Sequence, residues 1–491
     1  MGAVFVPNRS EILDALQYEI FNVSNPINRA SNAPYRITYQ YAGTSQPGDL
    51  PISGSYTGWT PWTATERSSF ETALRHMESL LNVRFVEVSG SSDPDINVGQ
   101  VSLPGAVVGN GGYSVSYWGA NIVDWDGFVV FDSTYDLVNG SLGIVLHELS
   151  HAMGLQHGHD TDILSSELAC PVCGGSHDPD AEITSVSDTY ETTKYTVMSY
   201  NANPDTGDVG DELMLFDVVA LQDIWGHAQT NTGNTRYTGP QTDHVDLIWD
   251  TGGWDALDAR SNANGVSLDL RPGAFSQFGD HEDMVIAYGV RIEAAFGSDF
   301  DDTLIGNTAN NYLGGEGGND TIIATGGNNE MWGGSGDDTM TGAGARDRLT
   351  GEEGNDTIFG GAGGDLLAGW MGDDVMHGQG GNDHMYGGKG DDILFGGDGR
   401  DLIVGGSGSD ILSGGHGADH FLFRAGSERD QITDFGLGAD LVFFYGCGTI
   451  ANTLDHAEQV GSDVVFDFGD GDVLVIDDTS LDLVSRSLAL W

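Results

Sequence analysis

Residues 387–422 read GGKGDDILF GGDGRDLIV GGSGSDILS GGHGADHFL, four consecutive nine-residue units of the form G-G-x-G-x-D-x-U-x, with U a large apolar residue. Two more units of this form begin at Gly333 (GGSGDDTMT) and Gly360 (GGAGGDLLA). Carrying the phase outward divides 297–422 into fourteen units without an insertion. Some have decayed. GAGARDRLT, from Gly342, has alanine at two glycine positions, and GNTANNYLG, from Gly306, has Asn311 where aspartate is expected. A glycine-rich linker would not hold phase over such a length. A fixed internal period marks a solenoid, whose units bury their apolar residues only against neighbouring units.

The unit also has a chemistry. Its glycines permit a tight turn with carbonyl oxygens facing inward, and the aspartate at the sixth position adds a carboxylate. Calcium, a hard cation, takes six or more such oxygens. The side-chain ligands expected are Asp338, Asp365, Asp392, Asp401, Asp410 and Asp419, followed by Asp356, Asp374 and Asp383. This reading accounts for the charge, 74 acidic against 18 basic residues and a net −56. Such a molecule is repelled by nucleic acid and by anionic membrane surfaces, so neither is a partner. Stacked aspartates without cations repel one another, and the roll is expected to fold only as calcium binds.

Toward the N-terminus, residues 147–157 read HELSHAMGLQH, or H-E-x-x-H-x-x-G-x-x-H. His147 and His151 are four apart, so on a helix their imidazoles share one face and can hold one ion. Glu148 lies beside the first ligand without using a coordination position, where it can act as general base and acid. Gly154 lets the chain leave the helix through a conformation other residues resist, which brings His157 round as third ligand. Three protein ligands leave a position for water, as a catalytic zinc site requires.

At 491 residues the chain is too long for one ordinary core. The part before the repeats patterns as mixed α/β. Strands are expected at 36–41, 95–98 and 127–131. Helices are expected at 65–81, with Thr63 or Thr65 as N-cap, at 141–154 and at 214–225. The stretch 230–239 reads as a linker. Alternating segments at 430–435 and 462–476 are expected to cap the solenoid. No apolar stretch is long enough to span a bilayer, and no N-terminal Sec signal is legible. The three cysteines cannot staple a fold of this size. Cys170 and Cys173 (CPVC) suit a small loop disulfide better than half a zinc knuckle, and Cys447 reads as a buried thiol.

Met198 and Tyr200, within YTVMSY, follow the extended zinc motif. With the nonapeptides, they make the chain resemble the serralysin family of metzincins, proteases with a C-terminal repeat-in-toxin (RTX) β-roll. MLFDVVALQDIWG (214–226), IWDTGGWDALDARS (248–261) and DQITDFGLGADLV (430–442) also resemble family segments, so the likeness covers nearly the whole chain. The resemblance implies two domains, an α/β metzincin zinc-protease domain followed by an all-β parallel β-roll. Their spans would be 34–229 and 230–491, with the repeats at 297–422, a cap and secretion region at 423–491, and 1–33 a removable propeptide or N-terminal helix. It implies Met198 as the Met-turn floor beneath the zinc, and Tyr200 as a resting-state ligand that swings away to stabilise the oxyanion. It implies two repeats per coil, with calcium in rows between turns. A further calcium is implied at Asp250 and Asp255, with carbonyls of Gly233, Gly252 and Thr235.

The departures from the family are local. Gly158-His159-Asp160 replaces a proline-containing turn, CPVCGG (170–175) is inserted, and Asn201 follows Tyr200 where an aromatic is common. The function expected is a secreted, extracellular zinc endopeptidase acting on proteins and peptides, a monomer exported by type I secretion machinery. The terminus SRSLALW does not clearly match the family's export ending. The competing expectation is a calcium-binding surface protein whose protease domain has become a binding module. A repeat-in-toxin lipase is not supported, since no G-x-S-x-G elbow is present.

Overall fold

The computed structural model describes residues 33–155 and 213–490, apart from 49, 51–55, 92, 104–107, 119–120, 139–141, 241–244, 280–281, 425, 437–438 and 447–448. The expected N-terminal helix, His157, Cys170, Cys173, Met198, Tyr200 and Cys447 lie outside the described residues. The chain groups into two compact units. The first comprises 1–232, 240–252 and 284–290, and the second 233–239, 253–283 and 291–491.

The first unit is built on a sheet of strands β1 (Tyr35–Tyr41), β2 (Thr57–Thr60), β3 (Val83–Glu87), β4 (Ile96–Ser102), β5 (Gly109–Trp118) and β6 (Asn121–Asp132). Its order is β3-β1-β4-β6-β5, with β2 paired to β4. β1, β3, β4 and β6 run parallel, and β5 runs antiparallel to β6 at the edge. Helix α1 (Ala64–Leu80) starts where the sequence expects it. Thr63 accepts from the Glu66 amide, and the Glu66 carboxylate accepts from the Thr63 amide at 2.7 Å, a reciprocal capping box. Its apolar face, Phe70, Ala73, Leu74 and Met77, is buried. Helices α2 (Leu142–Ala152) and α3 (Leu215–Trp225) complete the unit. Both are buried on nearly every side, so they serve as core elements. Trp225 locks them together: its ring lies 5.1 Å from Trp125, and its indole N–H donates to the Met153 carbonyl at 2.9 Å.

The second unit is the expected parallel β-roll. Each nonapeptide supplies one short strand, and successive strands alternate between two twelve-stranded sheets. Leu304 therefore pairs with Ile322 and Leu313 with Met331, two units ahead, so two units make one coil. The apolar residue of every unit, from Leu304 at nine-residue steps to Phe421, is at most 3% exposed. Burying each such side chain stabilises the fold by about 1.5–3 kcal/mol. The far end is closed by Phe423, Phe444 and Phe466, packed in one aromatic cluster. The hairpin Asp463–Gly469/Asp472–Ile476 and the strand Leu488–Leu490 add the last pairings to the two sheets.

One expectation is corrected. The stretch 230–239 is not wholly a linker, because Arg236–Tyr237 is a strand of the roll, paired with Ala256–Leu257. Two paired residues are too short a segment to show a period-2 pattern.

Candidate metal centres

Helix α2 carries the first centre. His147 and His151 are 5% and 4% exposed, with ring centroids 4.9 Å apart and planes at 88°. The His151 Nδ1 lies 2.9 Å from the Leu155 carbonyl. A carbonyl only accepts, so the ring proton is on Nδ1 and the lone pair on Nε2, as for a metal-binding imidazole. The helix stops one turn later. Gly154 has φ +107°, its amide donates to the His151 carbonyl at 3.1 Å, and the Leu155 amide donates to Ser150 at 2.9 Å. These two bonds form a Schellman motif, which turns the chain back over the histidine face.

Glu148 is fully buried between the two imidazoles in sequence, and β5 is what covers it. A side chain at Gly109 would strike the Glu148 carboxylate, and one at Gly111 would strike its carbonyl oxygen. This edge strand therefore reaches the helix only because it is glycine there. The sequence reading passed over Gly109 and Gly111, since GNGG between apolar residues reads as a turn. Gly111→Ala is expected to destabilise the first unit by about 1–3 kcal/mol through overpacking against backbone. A lowered thermal midpoint with an unchanged roll transition would show it.

The donors fit zinc as far as the described residues reach: two imidazoles on one face, one with its tautomer fixed. Among the described residues no cluster of three metal-binding side chains occurs, and His157 lies outside them.

The roll carries the second kind of centre. Each sixth-position aspartate amide donates to the carboxylate two units ahead, from Asp302 to Asp320 at 2.7 Å, Asp338 to Asp356 at 2.9 Å and Asp383 to Asp401 at 2.8 Å. Two such ladders run along the solenoid. The ladders use only Oδ1. The Oδ2 atoms of Asp320, Asp338, Asp356, Asp365, Asp374, Asp383, Asp392, Asp401, Asp410 and Asp419 are buried without a hydrogen-bond partner. At seven of the ten, a carbonyl of the next coil borders the same space. The space beside Gly333 is met by both Asp338 Oδ2 and the Gly351 carbonyl, and that beside Gly387 by Asp392 Oδ2 and the Gly405 carbonyl. Converging oxygens with no donor among them fit a hard cation.

Burial is the main cause that pushes these carboxyls up, to about 8 at Asp320 and Asp392, about 7 at Asp338, Asp374 and Asp401, and about 6 at Asp356, Asp365 and Asp410. Asp383 and Asp419 are raised for the same reason. Donation from the preceding backbone amide opposes the rise at each. All nine aspartates named from the sequence lie in these ladders. Asp302, Asp320 and Asp347 join them and were legible, being sixth in their units. Asp430 and Asp440 extend the ladders by accepting from Asp410 and Asp419, beyond the point where the nine-residue phase ends.

Asp250 and Asp255 are buried, the first in the first unit and the second in the other. Asp250 accepts from the Gly252 amide at 3.0 Å. Asp255 accepts from the Thr235 amide at 2.7 Å, and its own amide donates to Glu293 at 2.8 Å. Glu293 is an acidic neighbour that the sequence reading did not name.

With this geometry the comparisons with known proteins agree. Six segments between residues 296 and 427 match the RTX calcium-binding nonapeptide repeat: 296–331, 314–349, 332–367, 341–376, 371–403 and 395–427. Metallopeptidase AprA of Pseudomonas marginalis is 28% identical over 317 residues, covering 57% of this chain and 62% of the relative. Serralysin of Photorhabdus laumondii is 28% identical over 292 residues, covering 52% and 57%. The matched region thus spans about six-tenths of the length of these curated relatives. Among solved structures, extracellular lipase LipA from Serratia marcescens aligns at 22% identity over 41% of this chain and 40% of its own, with TM-score 0.19.

An RTX roll following a mixed α/β unit defines the class: a repeat-in-toxin protein with calcium-binding nonapeptides. Within that class the chain is similar to serralysin and to metallopeptidase AprA.

Proposed function

We propose that the chain is a secreted zinc endopeptidase that cleaves peptide bonds in proteins and is folded by calcium. The observation that carries the reading is helix α2, where two buried imidazoles share a face and the buried Glu148 follows the first of them in the chain. His147, His151 and His157 would hold the ion. A zinc bound there polarises the scissile carbonyl and makes a water acidic enough, with a pKa near about 7, to react at neutral pH. Glu148 takes the proton of the attacking water and passes it to the departing amine. Tyr200 would steady the developing oxyanion, and Met198 would be the Met-turn residue. Both assignments rest on the family motif YTVMSY.

Strand β5 suggests how substrate lies. Among the described residues it pairs on one side only, with β6, and it passes directly over Glu148. An extended peptide added along that edge would be held by main-chain bonds, which favours unfolded substrates and broad preference. Export of an unfolded chain through type I machinery, followed by folding in extracellular calcium, suits a roll whose acidic core needs cations. No helix among the described residues is long and apolar enough to cross a membrane. A monomer is the state we assign.

The test is zinc removal. Casein hydrolysis in calcium buffer should be abolished by a zinc-selective chelator and return on adding zinc, with the roll folded throughout. Hydrolysis that persists in zinc-free protein would reject the assignment. Intact zinc binding without any hydrolysis would favour the binding-module reading instead.

A further inference from the structure

The outer face of one roll sheet, near its C-terminal end, carries a trough that neither proteolysis nor calcium binding uses. Gly388, Val404, Gly406, Leu422, Arg424 and Tyr445 shape it, with Ser407 and Ser427 along one side. Its floor is bare backbone. Trp370 pairs with Gly388 and Gly388 with Gly406, while Arg424, on the next strand, pairs with Tyr445. From Trp370 to Arg424 is three strand spacings, roughly 14 Å and the length of about three pyranose rings.

Three features point to a ligand. Trp370 occupies the second glycine position of its unit at φ +82°, as Glu316, Glu352 and Gln379 do in theirs, but it is the one of the four that is aromatic, and it is 60% exposed. The second feature is charge. Lys389 is one of two lysines in the whole chain, and it sits in register with Ser407. Neither Lys389 nor Arg424 makes an ion pair among the described residues; Arg424 instead stacks over the Tyr445 ring, 5.5 Å from its centroid. Two cations without carboxylate partners are conspicuous in a molecule of net charge −56. The third is direction, because Glu352 pairs with Trp370 at the opposite end. Trp370 and Glu352 thus flank the trough on one side, with Lys389 on the next strand, while Arg424 and Tyr445 line its other end.

We propose that this trough binds an acidic oligosaccharide, a short chain of uronic-acid-type sugars. Trp370 stacks on a ring face, the glycine floor admits flat rings close to the backbone, and Arg424 and Lys389 meet the carboxylates. Ser407, which is exposed, supplies a hydroxyl partner, while the buried Ser427 hydroxyl donates to the Arg424 carbonyl and fixes that strand end. An acidic peptide is the weaker fit. The floor strands are already paired on both sides, so they offer no free edge for a peptide backbone to extend.

The test uses the full chain as Glu148→Gln, with free calcium held constant, and trigalacturonate as probe. Saturable binding, followed by calorimetry and tryptophan emission, is expected. Arg424→Gln should weaken it by about tenfold or more. Trp370→Gly is the sharper variant, since it restores the consensus glycine: it should raise the roll's thermal midpoint while weakening binding by at least about tenfold. The proposal is overturned by absence of saturable binding, or by binding that is undiminished in both variants. It is also overturned by equal affinity for a neutral glucose trimer, or by tighter binding of tetraglutamate.

Discussion

Glu148→Gln should abolish casein hydrolysis, with a fall of about 10²–10⁴-fold in kcat, while bound zinc and thermal midpoint stay as in the unaltered protein. Glutamine has nearly the shape of glutamate, so it keeps the packing of β5 over the helix at Gly109 and Gly111. It cannot take up a proton at neutral pH. Because Glu148 occupies no coordination position in the proposed site, metal content should not change. A loss confined to kcat would mark a group that acts on the reacting atoms. A variant that loses zinc together with activity would place Glu148 among the ligands and reject the assignment. Full activity in the variant would remove Glu148 from the chemistry.

Much of this was legible in the sequence, for reasons that differ between the units. The roll declares itself because each coil repeats the same physical problem. One apolar residue from Leu304 to Phe421 must point inward every nine residues, and one aspartate must stand six places into each unit. Period alone therefore located the core and nine ladder carboxylates. It failed where the period fails. Asp430 and Asp440 take the ladder positions after irregular insertions, and Arg236–Tyr237 enters the sheet from a stretch with no repeat. In the first unit, H-E-x-x-H sets a helix face by spacing alone. The packing that encloses Glu148 depends on a non-local approach of Gly111, 37 positions earlier in the chain, and local patterns carry no information about it. Asp255 and Glu293 meet across 38 positions for a similar reason.

The calcium ladders lead to the second large effect, an unusual dependence of roll stability on pH. A free aspartate titrates near about 3.9, whereas burial raises the ladder carboxyls to about 6 at Asp356 and about 8 at Asp392. In the absence of calcium, a folded-state pKa above the unfolded one means that folding takes up protons. The stability these groups contribute is then complete below about pH 4 and lost as pH rises through 6 to 8. A rise of two units corresponds to about 2.7 kcal/mol at one site. Eight sites rise by about two units or more, and together they would outweigh the roughly 5–15 kcal/mol that holds a typical domain folded. In chelator at pH 8 the roll should therefore be unfolded by circular dichroism, and at pH 5.5 it should regain part of its strand signal. Millimolar calcium at pH 8 should restore the full signal, with protons released on binding, because cations replace the protons between the same oxygens. The Glu148→Gln chain is the right sample, since it cannot digest its own unfolded roll. A roll that stays folded in chelator at pH 8 would mean that the ladder hydrogen bonds suffice without cations. In that case the acidic core would need another explanation than calcium.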